Sequence, residues 1–255
     1  MRYAETHSNL KVLVIDLCPQ SNSSMMLLGG GTVGNERVVE LCSRDIPKSV
    51  VGYVSTVITN GHGAKLPNPN DFLIHVSDYN KGAPSNIYLL CGDGNMEPMA
   101  PAINEAASAR ALTPDAQPWK WVIEIFKKFI DNIPDCQDDW MVFVDTNPSF
   151  SIYTQMAVAA VNRLLTPINA DDSSKTAASA MVALLLIGNR LTQFEGPATA
   201  LSDATSKALY DIYKQNPSYF VKATKIISTK EQFRNYYSIP LRDFNTAGVV
   251  CAHLG

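Results

Sequence analysis

Residues Lys11–Leu17 (KVLVIDL) form an unbroken apolar, largely β-branched run, and Trp140–Asp145 (WMVFVD) forms a second. A strand with one face in water alternates apolar and polar residues. An unbroken run predicts a strand buried on both faces, which requires a largely parallel sheet covered by helices on each side. Further strands are predicted at Phe72–Val76, Ile87–Cys91 and Arg163–Ile168, and Val50–Thr59 reads as another strand or as part of a β excursion. Between these segments the apolar period lengthens. Trp119, Val122, Ile123, Phe126 and Ile130 recur at helical spacing, with Pro118 suited to a first turn, Pro134 to a stop and Glu124 placed four residues before Lys128. Helices are also predicted at Tyr153–Val161, Ser173–Ile187, Thr199–Lys214 and Leu241–Leu254. Alternating apolar strands and helices define an α/β layered sandwich with a largely parallel central sheet.

The chain has 255 residues, 46% of them hydrophobic, enough for one sizeable core. No Ser/Gly linker or repeat divides it, so residues 1–255 read as a single domain. Thr59–Asn70 (TNGHGAKLPNPN) reads as a loop within it. The net charge of −3 excludes a polyanion binder by composition alone. Basic residues do thicken late, at Lys222, Lys225, Lys230, Arg234 and Arg242; they read either as a solvated helical face or as a DNA-facing patch. The five cysteines are dispersed, none in a CxxC pair, and the four histidines do not stand at ligand spacing from them, which argues against zinc. An odd, scattered set with no signal peptide predicts a reducing compartment, and no apolar run reaches the length of a membrane span. A cytoplasmic protein is the expectation.

Both long strands end in aspartate, Asp16 in VIDLCPQSN and Asp145 in VFVDTNPSF, each followed three residues later by proline (Pro19, Pro148). Ligands of parallel α/β sheets sit beyond the carboxyl ends of the strands. Two carboxylates delivered there suit a hydrated Mg²⁺, which keeps most of its waters. Either aspartate alone also reads as the start of a turn.

These segments carry a resemblance. Val12–Leu28 (VLVIDLCPQSNSSMMLL) resembles the VLLIDxDPQGN stretch of the ParA/MinD-type P-loop ATPases, and Asp145–Phe150 (DTNPSF) resembles the second acidic strand of that family. Ala159–Ser173 is similar to the stretch leading to the adenine side of the family's site, and Leu241–Gly255 to its C-terminal helix. The resemblance implies ATP and Mg²⁺ as ligands. It implies that Asp145 and Asp16 lie at the metal, that Gln20 and Asn22 belong to the switch sensing the γ-phosphate, and that Thr146 and Pro148 shape the loop beneath it. Pro167, Asn169 and Asp171 would flank the base. It further implies ATP-dependent homodimers, non-specific DNA binding, a ParB-type adaptor, a role in chromosome or plasmid partitioning, and no membrane partner.

Two departures bear on the chemistry. The family's KGGxGKT-type loop, whose amides and lysine hold the phosphates, is missing ahead of Lys11. Gly29–Gly34 (GGGTVG) has glycines without Gly-Lys-Ser/Thr, and Ser174-Lys175-Thr176 lacks a glycine loop; they read as a turn and a helix start. The chain is therefore expected to be truncated at its N-terminus, with the C-terminal end also reading as cut, and to expose a sheet edge. Cys18 stands where the family pattern has its second, hydrolysis-linked aspartate. A thiol is mostly neutral at pH 7 and does not orient water as a carboxylate does. Three functions follow: a ParA-like partitioning ATPase incapacitated by the missing loop, a non-catalytic ParA-fold binding or scaffold protein, or a MinD-type positioning ATPase. The last needs a basic amphipathic C-terminal helix, which residues 241–255 do not supply.

Overall fold

The apolar run at Lys11–Leu17 is a seven-residue strand in the computed structural model, which describes residues 1–110, 117–134, 140–146, 151–161, 163–165 and 249–254. These lie in one compact unit, Met1–Leu165 with Gly248–Gly255. In order they form α1 (Arg2–Thr6), β1 (Lys11–Leu17), α2 (Asn22–Leu27), α3 (Gly31–Cys42), α4 (Val50–Asn60), β2 (Ile74–His75), α5 (Val76–Tyr79), β3 (Ile87–Leu90), α6 (Met96–Ser108), α7 (Pro118–Ile123), α8 (Ile125–Asp131), β4 (Trp140–Thr146), α9 (Ile152–Ala160), β5 (Arg163–Leu165) and β6 (Val249–Leu254).

The sheet order is β2-β3-β1-β4-β6-β5. The run is unbroken because β1 has parallel neighbours on both edges, β3 and β4. Layers of helix cover both faces. Val12, Ile87 and Leu89 pack with Ala4 of α1, Leu27 and Leu28 at the end of α2, and Val38 and Leu41 of α3. On the other face β1 meets α4 and α9, and Tyr53 of α4 meets Phe129 of α8 edge-on at 4.6 Å. Among the described residues no helix is long and apolar enough to cross a membrane.

Four expectations need correction. Val50–Thr59 is helical, as most of α4. Ser49 caps the helix by accepting from the Gly52 amide, and Val50, Tyr53, Val54 and Val57 share its buried face, so packing and the cap override the β propensity of the run. The strand predicted at Phe72–Val76 shrinks to Ile74–His75, antiparallel to β3, because a 3-10 turn at Pro69–Asp71 precedes it and α5 starts at Val76. The predicted helix Leu241–Leu254 ends as strand β6, antiparallel to β4; residues 241–248 lie outside the described residues. β6 pairs with the edge of β4 that would otherwise be bare, so that edge is not exposed, and an unpaired edge next to a β-branched segment is a strong template for such pairing.

The amphipathic stripe at 119–130 holds Val122, Ile123, Phe126 and Ile130 in the core, although a break at Glu124 divides it into α7 and α8. Glu124 and Lys128 pair at 3.6 Å. The glycines of GGGTVG serve a helix crossing. Gly29, Gly30 and Gly31 all have positive φ in the turn from α2 to α3, and a Cβ on Gly34 would lie 2.1 Å from the Met25 carbonyl oxygen. Of the other predicted elements, Tyr153–Val161 matches α9, and Ser173–Ile187 and Thr199–Lys214 lie outside the described residues.

Candidate functional site

Asp16 and Asp145 are partners in the β1–β4 register. Parallel strands in register send paired side chains to the same face, so both carboxylates rise side by side at the carboxyl edge of the sheet. Asp16 is fully buried. Its Oδ2 accepts from the Ser24 amide (2.8 Å) and the Ser24 hydroxyl (2.7 Å), and its Oδ1 accepts from the Cys18 amide (3.1 Å). Ser24 Oγ in turn accepts from the Gly92 amide at 2.8 Å. Asp16 thus lies against the first turn of α2, where a carboxylate is favoured by the free amides, and ties that turn to the end of β3. Asp145, half-buried, accepts from the Ser23 hydroxyl at 2.5 Å.

Burial raises Asp16 to a pKa of about 6, with the Asp145 charge adding to the rise and the Ser24 and Cys18 donors opposing it. Burial also holds Asp145 above the ordinary carboxylate range, against the Ser23 hydroxyl and the Thr146 amide. Burial and the two neighbouring carboxylates push the Cys18 thiol up, against the Gln20 and Ser21 amides. Cys18 is therefore a neutral thiol at pH 7, beside two carboxylates and without a charge of its own.

Gln20 is exposed and Asn22 half-exposed; the Asn22 side-chain amide donates to Gln20 Oε1 at 3.0 Å, so the two brace the turn between β1 and α2. Thr146 is buried at the end of β4. Pro148, Pro167, Asn169, Asp171, Lys222, Lys225, Lys230, Arg234 and Arg242 lie outside the described residues.

Several residues at this edge escaped the sequence reading. Ser23 and Ser24 supply the hydroxyls that hold the two carboxylates. Gly92 passes so close that a Cβ on it would lie 2.8 Å from Ser21 Oγ and 2.9 Å from Asp16 Cγ. Asp93, next in sequence, is buried and accepts from the Ser49 hydroxyl (2.7 Å), the Asn95 amide (2.9 Å) and the Asn95 side chain (3.0 Å). It had a readable signal, since CGDGN follows the apolar strand IYLL just as Asp16 and Asp145 follow theirs. The hydroxyls had none, because serines after a strand are ordinary turn residues.

Ser24→Ala is expected to cost about 1–3 kcal/mol, since it removes a donor to a buried carboxylate and leaves the Gly92 amide without its acceptor. Urea unfolding at pH 7 measures it; Ser23→Ala, at a half-exposed position, should cost less.

The donor set at this edge matches a hydrated divalent cation only in part. Asp16 already accepts three hydrogen bonds, two on Oδ2 and one on Oδ1, which leaves Oδ1 a second lone pair. Asp145 is half-buried with a hydroxyl neighbour, and the buried Ser21 Oγ has no partner among the described residues, which does fit an outer-sphere oxygen site. Among the described residues no group of three or more His, Cys, Asp or Glu side chains is arranged to hold a metal directly.

The sheet, with β3, β1 and β4 parallel, helices on both faces and two acidic strand ends in register, is an α/β layered fold. The comparisons with solved structures give that fold at low identity. Apo McdA from Cyanothece is 15% identical with a TM-score of 0.52, over 84% of this chain and 73% of that one. A variant of Cyanothece McdA in complex with ATP is 15% identical with a TM-score of 0.51, over 84% and 71%. A plasmid partition protein from Borrelia burgdorferi is 13% identical with a TM-score of 0.49; the match covers 73% of this chain and spans 65% of the length of that protein. No protein-family model and no curated protein matches the chain.

Proposed function

We propose that this chain is a ParA-like protein of a partitioning system, and that ATP with Mg²⁺ is met at the edge formed by Asp16, Asp145 and the turn between β1 and α2. The observation that carries the reading is the in-register pair Asp16 and Asp145 beyond the carboxyl ends of parallel strands. In this reading the two aspartates have different tasks. Asp145 would hold the water shell of the cation, and Asp16 would lie beside the metal while anchoring the first turn of α2. Gln20 and Asn22, already braced against each other, form the segment that responds to the terminal phosphate. Thr146 and Pro148 line the loop beneath it, and Pro167, Asn169 and Asp171 flank the base. When bound, Mg²⁺ supplies charge neutralisation at the phosphates.

These 255 residues contain no Gly-Lys-Ser/Thr loop, and carboxylates without a phosphate cradle repel a triphosphate. ATP·Mg²⁺ is therefore expected to bind with a Kd weaker than about 1 mM, with no turnover above background. Calorimetry and phosphate release measure both, and Asp145→Ala should abolish the residual binding. Micromolar affinity would mean that these residues hold a phosphate site the sequence reading missed, and binding unchanged in Asp145→Ala contradicts the reading. ATP-dependent dimerisation, a ParB-type adaptor and non-specific DNA binding through Lys222, Lys225, Lys230, Arg234 and Arg242 belong to the same proposal. DNA affinity falling steeply with salt supports the last of them.

A second reading has its own support. Asp16 is engaged by the Ser24 and Cys18 donors and Cys18 is a neutral thiol, features that favour a non-catalytic ParA-fold module binding a protein partner over a hydrolase. Complete indifference to ATP, with the acidic edge intact, would select it.

A further inference from the structure

Behind Asp16 lie two cysteines that the nucleotide reading does not use. Cys42 ends α3 and is partly exposed, whereas Cys91 follows β3 and is buried. Three features bring them together. The Cys42 Sγ donates to the Gly92 carbonyl at 3.5 Å. Cys42 packs against the core cluster that contains Cys91. The segment following α3 returns to the same place, as the Lys48 amide bonds the Leu41 carbonyl and Ser49 bridges Cys91. The Cys42 thiol thus lies at the residue next to Cys91, in the same core cluster, and that residue, Gly92, donates its amide to the Ser24 hydroxyl that holds Asp16.

We propose that Cys42 and Cys91 are an oxidisable dithiol whose disulfide loosens the support of Asp16. Peroxide reaches the partly exposed Cys42 first. The thiolate attacks the peroxide oxygen, the O–O bond breaks, one water leaves and Cys42 becomes a sulfenic acid. The Cys91 sulfur then attacks the Cys42 sulfur, an S–S bond forms, and the sulfenic oxygen leaves as a second water with the Cys91 proton. The dithiol loses two electrons and two protons, and one peroxide becomes two waters. In a reducing compartment such a pair rests as the dithiol and oxidises only transiently, the behaviour of a sensor.

The consequence follows from the hydrogen bonds. A disulfide has no S–H, so the Cys42 to Gly92 carbonyl bond is lost, and the two sulfurs must close to about 2 Å. Gly92 has little room to shift toward the site, because Ser21 Oγ and Asp16 Cγ lie 2.8 and 2.9 Å from where a Cβ would stand. The strain passes through the Gly92 amide to Ser24 Oγ, and from Ser24 to Asp16.

The test uses the full reduced chain, treated with hydrogen peroxide and digested without reductant. The expected product is a cross-link between the tryptic peptides 38–44 and 82–110, lighter by two hydrogens, reversed by dithiothreitol and absent from Cys42→Ser. In Cys91→Ala, Cys42 should run on to the sulfinic acid, which shows that Cys91 resolves it in the wild type. The backbone amide signals of Ser24 and Gly92 should shift on oxidation and return on reduction. Pairing of Cys42 with Cys18, Cys136, Cys251 or a second chain, or sulfinic acid in the wild type without a cross-link, overturns the dithiol. A cross-link that leaves the Ser24 and Gly92 signals in place overturns its connection to Asp16.

Discussion

Gly92→Ala is expected to destabilise the chain by about 2–3 kcal/mol, the cost of inserting a methyl group into a packed interior. The new Cβ would lie 2.8 Å from Ser21 Oγ, 2.9 Å from Asp16 Cγ and 3.0 Å from Asp16 Oδ2. Both side chains are short and buried, and the Asp16 carboxylate is tied down. Ser21 is buried with φ of 52°, and Asp16 is held by three donors. Relief requires Asp16 to give up Ser24 or the end of β3 to move, and either breaks hydrogen bonds to a buried carboxylate. Gly94→Ala, two residues on with no atom within 4 Å, is the control and should be close to neutral. Urea midpoints for the two variants measure the effect. Equal midpoints would mean that the β3 end yields freely and that Asp16 is not tightly held.

The second large effect is a dependence of stability on pH. Asp16 has a pKa of about 6 in the fold against 3.8 for its ordinary value. The folded chain therefore holds a proton on Asp16 more tightly than the unfolded chain does. This stabilisation is fully present below about pH 4 and is lost as the pH rises through about 6. The difference corresponds to about 3 kcal/mol. Asp145 is shifted in the same direction and adds to the same trend. Asp16→Asn removes the titration, so the stability of the wild type minus that of the variant should fall from pH 4.5 to pH 7.5. Asp145→Asn should make the fall shallower, because it removes a charge that raises Asp16. A difference that is flat or rises over that range contradicts a buried, hydrogen-bonded carboxylate at this position.

How much was legible in the sequence follows from what each element depends on. Lys11–Leu17 and Trp140–Asp145 were readable because burial on both faces writes itself as an unbroken apolar run. Their ending in aspartate placed the two carboxylates at one edge once the strands proved to be neighbours. Val50–Thr59 was misread because its β-branched residues occur at helical spacing, and the decisive signal, Ser49 before Val50, is a single capping hydroxyl. Val249–Leu254 took its form from the free edge of β4, a tertiary partner that no local pattern reveals. At the site, residue type alone did not distinguish Asp16 from Asp145. That Asp16 is buried under three donors from Ser24 and Cys18 while Asp145 stays half-buried depends on how α2 folds back over the sheet.

The most direct measurement of the central claim is the paramagnetic broadening of the chain's amide signals on titration with ATP and a small amount of Mn²⁺ in place of Mg²⁺. It suits weak binding, because fast exchange carries the effect of a small bound fraction into the free signals. Saturable broadening is expected, centred on residues 16–24 and on Asp145 and Thr146, absent with Mn²⁺ alone at the same concentration and abolished by Asp145→Ala. Broadening that spares the ends of β1 and β4 while appearing elsewhere, or that survives Asp145→Ala, would contradict the assignment of this acidic edge as the nucleotide site.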